Sequence, residues 1–428
     1  MERNYIPRLF DETLRFSLKS KGAVLVVGPK WCGKSTTSAR QAKTIIDLTI
    51  EETKQQYIAL AKASPTIFLQ QGEKPLMIDE WQEISFVWNS IKDQVDKGGL
   101  FGQFILTGSV TDKTISKSSG EKHTGTGRIV RKMMRPMSLY ESGESNGKVS
   151  LLSLKEGVFE PCICDKTIED YAYYICRGGW PLAINQDEDI ALQQPIDFYD
   201  AVVSEDLFSL KDIKLRKDIG RAKKIMRSYS RNIGSQCADS VIINDVASND
   251  SSFDVKTFDK YKLALERLYV IEELEAWNPN LRSKISIRTK NTRHFVDPSI
   301  AAAALGVGPK GLFKDMNTFG FLFESLAIRD LRIYCDTLGA SVYHFKDQTD
   351  REVDAVIQFR DGSWALIEVK LTNQEDIDGA AKKLIKISNG IDKEKTGAPA
   401  FLMIITKGAT AIKRDDGVYE VPLACLKN

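Results

Sequence analysis

The sequence lacks the long apolar runs and the cysteine spacing that mark membrane-spanning and disulfide-stapled proteins. No segment of its 428 residues approaches the roughly 18 consecutive apolar residues that cross a bilayer. The seven cysteines are odd in number and scattered, which argues against a disulfide framework. The one close pair, Cys162 and Cys164, has no second cysteine or histidine pair at metal-ligand spacing. We therefore expect reduced thiols.

The sequence also has few histidines, no signal-peptide pattern and little net charge. The first ten residues, MERNYIPRLF, do not form a signal peptide, because charge and proline interrupt them. A cytoplasmic protein that does not bind membranes is expected. Only His123, His294 and His344 are present, so histidine-based nuclease chemistry is not expected. The formal net charge of +2 neither demands nor forbids nucleic acid. The length predicts two or three domains.

A glycine-rich loop follows the first strongly apolar run. Residues 22–27 predict a buried strand, and residues 28–36 match the order glycine, four residues, glycine, lysine, then serine or threonine. Lys34 would supply positive charge to the β- and γ-phosphates, and the Ser35 hydroxyl suits Mg²⁺. A helix over 33–44 would follow. The predicted nucleotide-binding residues are Gly28, Pro29, Lys30, Trp31, Cys32, Gly33, Lys34, Ser35 and Thr36.

Two adjacent carboxylates end a later apolar run. After a predicted strand over 45–50 and a helix, the run from Leu76 ends in Asp79 and Glu80. Asp79 is predicted to position Mg²⁺ and Glu80 to polarise the attacking water. The next predicted strand, 103–107, ends in Thr107. Its hydroxyl would hold that water or sense the γ-phosphate, although an ordinary turn also explains the residue.

An arginine follows the next predicted loop. Residues 111–126 are rich in serine, threonine, glycine and lysine, and Arg128 comes directly after them. A loop of this kind beside a nucleotide site can supply an arginine finger, in cis or from a neighbouring subunit. Arg128 is therefore a candidate catalytic residue, with a solvated arginine as the alternative. A finger in trans would require a homo-oligomer.

Taken together, these motifs resemble a known family. The glycine-rich loop, Ile-Asp-Glu-Trp-Gln at 78–82, Leu-Thr-Gly-Ser at 106–109, Gly-Arg, and Arg-Pro-Met-Ser-Leu-Tyr-Glu at 135–141 occur in order. They are similar to AAA-type P-loop ATPases of bacteria and archaea that carry a C-terminal domain of unknown function and are related to archaeal ATPases. The resemblance covers nearly the whole chain. It implies ATP and Mg²⁺ as cofactors and an AAA/ASCE-type parallel sheet with a helical lid, which would include 177–181.

The middle of the chain predicts helices. Residues 151–218 suit a helical lid and linker, and residues 219–300 read as helix, short helix, helix and hairpin. That order, like the resemblance, indicates a winged-helix-like connector. It would be able to enter a DNA groove, with a packing module as the alternative. The apolar residues at helical spacing on its third helix are Phe258, Tyr261, Leu265 and Leu268. The lysines on the same helix are Lys256, Lys260 and Lys262.

The last stretch predicts an α-β-β-β-α-β order from residue 318 onward. Glu324 lies on its first helix, Asp354 on its second strand, and Glu368 and Lys370 on one face of its third strand. Such a set can hold a divalent metal and a water beside a phosphodiester. This segment resembles the PD-(D/E)XK nuclease superfamily, most closely its Holliday-junction resolvase branch. The resemblance implies a restriction-endonuclease-like α/β domain.

We therefore predict an α/β protein with four parts: an AAA-type P-loop domain over 1–150, a lid and linker over 151–218, a winged-helix-like domain over 219–300, and a nuclease-like domain over 301–428. The predicted function is Mg²⁺-dependent ATP hydrolysis that drives a switch coupled to DNA through the C-terminal half. Two alternatives stay open. One is an ATP-gated interaction protein with an inactive nuclease-like fold and a protein partner, and the other is an ATP-regulated metal-dependent endonuclease.

Overall fold

A computed structural model of the chain describes residues 5–108, 127–210, 213–279, 289–347, 349, 351–371 and 374–428. These residues form two compact units. The first unit comprises Met1–Pro136 with Arg267–Tyr269, and the second comprises Met137–Glu266 and Val270–Asn428. Within the described ranges, no helix combines the length and the apolar character needed to cross a membrane.

The first unit contains a five-stranded sheet in the order β2-β3-β4-β1-β5. All of its neighbouring strands are parallel. Its strands are β1 (Ala23–Val27), β2 (Thr44–Asp47), β3 (Leu76–Asp79), β4 (Phe104–Gly108) and β5 (Ile129–Met133). Its helices are α1 (Phe10–Ser20), α2 (Lys34–Ala39), α3 (Glu51–Ala63), α4 (Pro65–Leu69) and α5 (Trp88–Gly98), with a 3-10 segment at Trp81–Val87.

The sheet of the first unit is covered on both faces, which explains why β1 has no polar alternation. Leu25 and Val27 pack in one core cluster with Trp88. Val24 packs in a second cluster with Leu14 of α1. Successive residues of one strand point to opposite faces, so a strand buried on both sides must be apolar throughout.

Two elements of the first unit end earlier than the sequence predicts. The helix α2 ends at Ala39 rather than 44, because Lys43 donates its backbone N–H to Pro75 O (3.0 Å) and the chain enters the sheet there. The strand β2 ends at Asp47 rather than 50, because the Asp47 carboxylate accepts the backbone N–H of Thr49 (2.8 Å). An aspartate that bonds two residues onward forms a local turn instead of a strand.

The second unit contains a seven-stranded mixed sheet in the order β7-β12-β13-β11-β10-β9-β8, and β14 pairs with β6 in a separate two-stranded sheet. Its strands are β6 (Val149–Ser150), β7 (Cys162–Ile163), β8 (Ser341–Lys346), β9 (Glu352–Gln358), β10 (Trp364–Lys370), β11 (Phe401–Thr406), β12 (Thr410–Lys413), β13 (Tyr419–Pro422) and β14 (Leu426–Lys427). Its helices are α6 (Leu151–Lys155), α7 (Ile168–Arg177), α8 (Glu188–Ala201), α9 (Leu207–Ser209), α10 (Ile219–Arg231), α11 (Asp239–Ala247), α12 (Val255–Arg267), α13 (Pro298–Leu305), α14 (Pro309–Leu312), α15 (Met316–Leu338), α16 (Gln374–Gly390) and α17 (Lys393–Thr396). A π-helical segment at Val202–Asp206 joins α8 to α9, and a 3-10 segment lies at Leu423–Cys425.

The boundary between the units lies at residue 136, before the predicted limit at 150. Met137 donates its backbone N–H to Gly179 O (2.6 Å) and Asn146 donates to Ala424 O (2.9 Å). These bonds tie the segment after residue 136 to the rest of the second unit. The same unit contains the predicted lid and C-terminal segments and the connector except Arg267–Tyr269. The division of these segments into separate domains stays a prediction.

The predicted element order of the C-terminal segment is confirmed. The helix α15, the strands β8, β9 and β10, the helix α16 and the strand β11 follow one another along the chain. The strands β8, β9 and β10 are antiparallel neighbours, and β11 joins β10 in parallel. A restriction-endonuclease-like fold stays a prediction.

The connector contains the three predicted helices, α10, α11 and α12. Phe258, Tyr261 and Leu265 on the last of them are buried, and so is Leu268 in the turn that follows it. Antiparallel bridges join Ile271 to Phe295 and Leu274 to Thr292. The predicted strand at 286–288 lies outside the described residues. The winged-helix arrangement therefore stays a prediction.

A buried ion cluster organises the second unit around Arg329 of α15. Its guanidinium pairs with Asp297 (2.9 Å) and Asp330 (2.7 Å). Asp297 accepts the backbone N–H of Gly179 (2.9 Å), and Asp330 accepts that of Leu139 (3.0 Å). The turn at 177–181, which the resemblance assigns to the lid, is thus held by charges on distant segments of the chain.

Candidate functional site

The glycine-rich loop lies at the carboxyl end of β1 and is anchored on the end of β5. Gly28 has φ +149°, and a Cβ atom there would lie 2.1 Å from Met134 O. Cys32 Sγ donates to the same oxygen at 3.4 Å. Arg8 donates from its two terminal nitrogens to Cys32 O and Arg135 O, each at 2.8 Å. Arg8 therefore clamps the loop, a role that the sequence did not indicate.

The Lys34 side chain is buried within this loop. Its ammonium donates to the carbonyl oxygens of Gly28 (3.1 Å) and Pro29 (2.7 Å). These bonds hold a positive charge in a loop whose backbone geometry suits phosphate groups. The predicted role of Lys34 fits this placement.

One oxygen of the buried Asp79 carboxylate collects donors from three elements. Ser35 of α2 donates its hydroxyl to Asp79 Oδ1 at 3.0 Å, and the Thr107 hydroxyl at the end of β4 also donates to it. The backbone N–H of Glu80 lies 3.1 Å away. Because β4 lies between β1 and β3, Thr107 is placed between the loop strand and the acidic strand.

The oxygen atoms of Ser35 and Asp79 fit a Mg²⁺ site at this edge. A hydroxyl and a carboxylate are ligands that this ion accepts, and its other positions are usually filled by phosphates and water. Within the described ranges, no group of three or more histidine, cysteine, aspartate or glutamate side chains is arranged to hold a metal.

Glu80 has an unusual backbone and a perturbed side chain. Its φ is +53°, a left-handed conformation that is uncommon for a residue with a side chain and that recurs at functional sites. Burial raises the pKa of Glu80, while a hydrogen bond from Gln82 and the nearby charge of Lys34 act in the other direction. A carboxylate with a raised pKa is a stronger base toward water.

Gln82 holds the Glu80 carboxylate. Its side-chain amide donates to Glu80 Oε2. The other end of the same amide, Oε1, is buried without a hydrogen-bond partner in the part of the chain that the structure describes. A Cβ atom at Gly108 would approach that oxygen to 2.7 Å, so Gln82 lies against the end of β4. The sequence marked Gln82 only as part of the family-like string after Glu80.

Arg128 lies at the amino ends of the sheet strands, whereas the glycine-rich loop lies at their carboxyl ends. Its carbonyl oxygen accepts the backbone N–H of Ala23 (3.1 Å), at the beginning of β1, and its guanidinium pairs with Asp96 at 2.6 Å. The five residues of β1 separate this end of the sheet from Gly28. That length of strand spans roughly 16 Å. Arg128 therefore lies away from the glycine-rich loop of its own chain, and its role as an arginine finger, in cis or from a neighbouring subunit, stays a prediction. Ser109 and the loop over 111–126 lie outside the described residues.

A second cluster lies on β9 and β10. Asp354 accepts the backbone N–H of Val369 (2.7 Å). Lys370 places its ammonium 3.0 Å from Glu368 and 3.7 Å from Asp354. Lys383 of α16 pairs with the other oxygen of Glu368 at 2.7 Å. The sequence missed Lys383, because a helix lysine carries no local signal that it faces a buried carboxylate.

The candidate metal ligands of this cluster act on one another electrostatically. Burial raises the pKa of Glu324 well above its usual value, and Asp354 and Glu368 act in the same direction. Burial also raises the pKa of Glu368 to about 7. The charge of Glu368 is balanced by Lys370 and Lys383, and the described residues contain no three acidic, histidine or cysteine side chains arranged for a metal. The metal-binding role of Glu324, Asp354 and Glu368 stays a prediction.

Replacing Gly28 by alanine is expected to abolish detectable nucleotide binding while leaving most of the fold intact. The added Cβ would meet the Met134 carbonyl at 2.1 Å, which forces the loop away from β5. Fluorescent ADP titration and the far-ultraviolet circular dichroism spectrum measure the two properties. The matched control is Gly98→Ala at the end of α5, where a Cβ meets nothing within 4 Å. Normal nucleotide affinity in Gly28→Ala would contradict the role of this close approach.

Comparisons with known families agree with this site. Residues 20–143 match the model of an AAA domain. Residues 168–311 and 319–426 match two domains of unknown function (DUF8612 and DUF4143). Together with the sheet order and the loop, the first match supports an AAA-type P-loop ATPase domain over these residues, and ATP binding and hydrolysis are typical of such domains. The match over 319–426 lies within the second unit, and the match over 168–311 does so except for Arg267–Tyr269, which belong to the first unit.

Similarity to solved structures is weak. The chain is similar to the Walker-type ATPase PABY2304 of Pyrococcus abyssi, with 14% identity and a TM-score of 0.42 over 71% of this chain and 97% of that one. It is also similar to the ORC2 protein of Aeropyrum pernix in its ADPNP–ADP complexes, with 11% identity and a TM-score of 0.36 over 74% of this chain and 97% of that one. No curated protein matches the sequence.

Proposed function

We propose that the protein is a Mg²⁺-dependent ATPase that works as a nucleotide-driven switch and acts on DNA through residues 219–428. One observation supports the ATPase: three donors meet at one site. Lys34 donates within the glycine-rich loop, and the Ser35 and Thr107 hydroxyls donate to the Asp79 carboxylate beside it. These groups come from the loop after β1 and the ends of β3 and β4. Together they provide the positive charge, hydroxyls and carboxylate that phosphoryl transfer requires.

The residues of the site have separate roles in hydrolysis. Bound Mg²⁺ supplies charge that stabilises the phosphate oxygens during transfer. Ser35 and Asp79 would hold that ion, and Lys34 would neutralise the β- and γ-phosphates. Glu80, oriented by Gln82, would accept the proton of the attacking water. Thr107 would orient that water or sense the γ-phosphate.

The DNA part of the proposal is supported by the connector. Lys256 and Lys260 on α12 are exposed, and exposed helix lysines can contact phosphates. Lys262, in contrast, pairs with Asp239 (3.6 Å) and Glu273 (3.0 Å), so it is engaged within the protein. The predicted contribution of Lys262 is therefore weaker than that of its two neighbours.

One observation favours a second function, that of an ATP-gated interaction protein. Both oxygens of the buried Glu368 pair with lysines, so this nuclease-like cluster is neutralised without a metal. Cleavage would need these carboxylates as ligands, whereas a role in binding a protein partner would not. An ATP-regulated endonuclease would have to rearrange these pairs first.

The proposal is tested by ATP hydrolysis of the full-length chain with double-stranded, single-stranded and branched DNA at low salt. We expect at least one DNA to raise the rate, and the effect to fall steeply with salt, as phosphate contacts require. The double variant Lys256→Ala/Lys260→Ala should lose the effect and keep the basal rate. The control is Lys19→Ala, an exposed lysine of α1 in the first unit.

Two results would change the assignment. Hydrolysis that no DNA affects would favour the interaction protein. DNA cleavage that Asp354→Ala abolishes, with hydrolysis retained, would establish the endonuclease.

A further inference from the structure

Three of the seven cysteines lie together in the second unit. Cys162 lies in β7, opposite Ala411 of β12, and the backbone N–H of Cys164 donates to Ala409 O at 2.7 Å. Cys425 belongs to the 3-10 segment that ends just before β14. Residues that are far apart in the chain are thus brought to one place by the pairing of β7 with β12.

Two polar side chains bridge the segments that carry Cys164 and Cys425. The Asn146 amide donates to Ile163 O at 3.1 Å and to Cys425 Sγ at 3.6 Å. The Tyr171 hydroxyl accepts the backbone N–H of Ala424 at 3.1 Å and lies 4.0 Å from Cys164 Sγ. Each bridge places residues 424–425 beside residues 163–164, so the Cys164 and Cys425 thiols lie on adjoining segments.

The chemistry of this thiol pair is unlike that of an isolated buried cysteine. The neighbouring Cys425 thiol lowers the pKa of Cys164 against the effect of burial, and the thiolate is the form that reacts with oxidants. Cys176, buried in α7 without such a neighbour, has its pKa raised to about 12 by burial. The described residues include no set of cysteine, histidine and acidic side chains arranged for a metal, so a metal-thiolate role is not supported.

We propose that Cys164 and Cys425 form a reversible disulfide when the protein meets a peroxide, which makes this pair an oxidative modification site. Cys164 S⁻ attacks one peroxide oxygen, the O–O bond breaks, and hydroxide leaves with a sulfenic acid formed on Cys164. The Cys425 thiol then attacks that sulfur, the S–S bond forms, and water leaves. That water carries the Cys425 proton, and the proton that Cys164 released to solvent on forming its thiolate neutralises the hydroxide. Two thiols are oxidised, and one peroxide is reduced to two waters.

The disulfide would fasten the end of the chain to the segment around β7. The strand β14 already pairs with β6, and Ser145 donates its hydroxyl to Leu426 O at 2.6 Å. A covalent link at Cys425 would add to this non-covalent attachment and would last until a dithiol reductant reduced the disulfide. The inference concerns the second unit alone and is independent of the proposed ATPase.

The test uses the full-length protein, fully reduced and then treated with a slight excess of hydrogen peroxide. Free thiols counted after denaturation should fall from the seven of the sequence by two, and dithiothreitol should restore them. Peptide mass mapping without reductant should show the peptide of Cys164 joined to that of Cys425.

Two variants and one control make the result specific. Cys425→Ala and, should it fold poorly, Cys164→Ser should each lose the cross-linked peptide and its reversible loss of two thiols. The control Cys335→Ala removes another buried thiol of the second unit and should retain both. An unchanged thiol count in the wild type, or a cross-link between any other two cysteines, would overturn the proposal.

Discussion

Replacing Glu80 by glutamine is expected to lower kcat for ATP hydrolysis by roughly 10²–10⁴-fold, the range associated with a general base. The glutamine keeps the size and hydrogen-bonding shape of the side chain but cannot accept the proton of the attacking water. Nucleotide affinity should change little, because the contacts that hold the loop are made by Lys34, Ser35 and Arg8. Steady-state hydrolysis and fluorescent ADP titration measure the two quantities.

The matched control for Glu80→Gln is Glu83→Gln. Glu83 lies in the 3-10 segment that begins directly after Glu80, but its side chain pairs with Lys54 at 3.0 Å and is half exposed. Its substitution should leave kcat unchanged. Hydrolysis by Glu80→Gln at the wild-type rate would show that another group activates the water, and a parallel loss of nucleotide affinity would show that Glu80 is a structural residue.

Replacing Arg329 by methionine is expected to destabilise the second unit by about 3–5 kcal/mol. The Arg329 side chain is 1% exposed, and both of its carboxylate partners are fully buried. Methionine fills a similar volume but leaves Asp297 and Asp330 without their counter-charge in a site that excludes water. The cost of such an uncompensated buried charge exceeds that of most core substitutions.

Urea unfolding followed by tryptophan fluorescence measures this effect, with the apparent thermal midpoint as a second reading. The control is Arg231→Met on α10, where the side chain is 63% exposed and lies 3.5 Å from Asp245. An exposed pair of this kind contributes less than about 1 kcal/mol. If the two variants unfolded at the same urea concentration, the buried cluster would not stabilise the second unit.

The nucleotide site is the part of this molecule that local sequence predicts best. Gly28, Lys34 and Ser35 are contiguous, so one loop and one helix place them together. Asp79 and Thr107 each end a short apolar strand, and the carboxyl ends of parallel strands meet at one edge of a sheet. In the structure, the Ser35 and Thr107 hydroxyls donate to the Asp79 carboxylate. The loop pattern and the strand ends that predict this are each visible in a few consecutive residues.

The residues that the sequence missed or left open depend on long-range pairing. The register of β5 against β1 puts Arg128 at the amino ends of the sheet strands, and no local pattern specifies that register. Arg8 and Lys383 acquire partners from distant segments. The charge balance of Glu368 also depends on long-range packing, because Lys383 reaches it from the helix α16 that packs on β10.

What the sequence by itself determined is the identity of the AAA-type domain, its glycine-rich loop, its acidic pair and the order of helices and strands in the C-terminal segment. These properties follow from short apolar runs, glycine positions and period-two alternation, which act within a few residues. Only the tertiary structure decided the unit boundary at Pro136, the ion cluster around Arg329 and the meeting of Cys164 with Cys425. Those features arise when strands and helices from separate parts of the chain pair and bury one another, and burial gives their charges and thiols energies that no local pattern encodes.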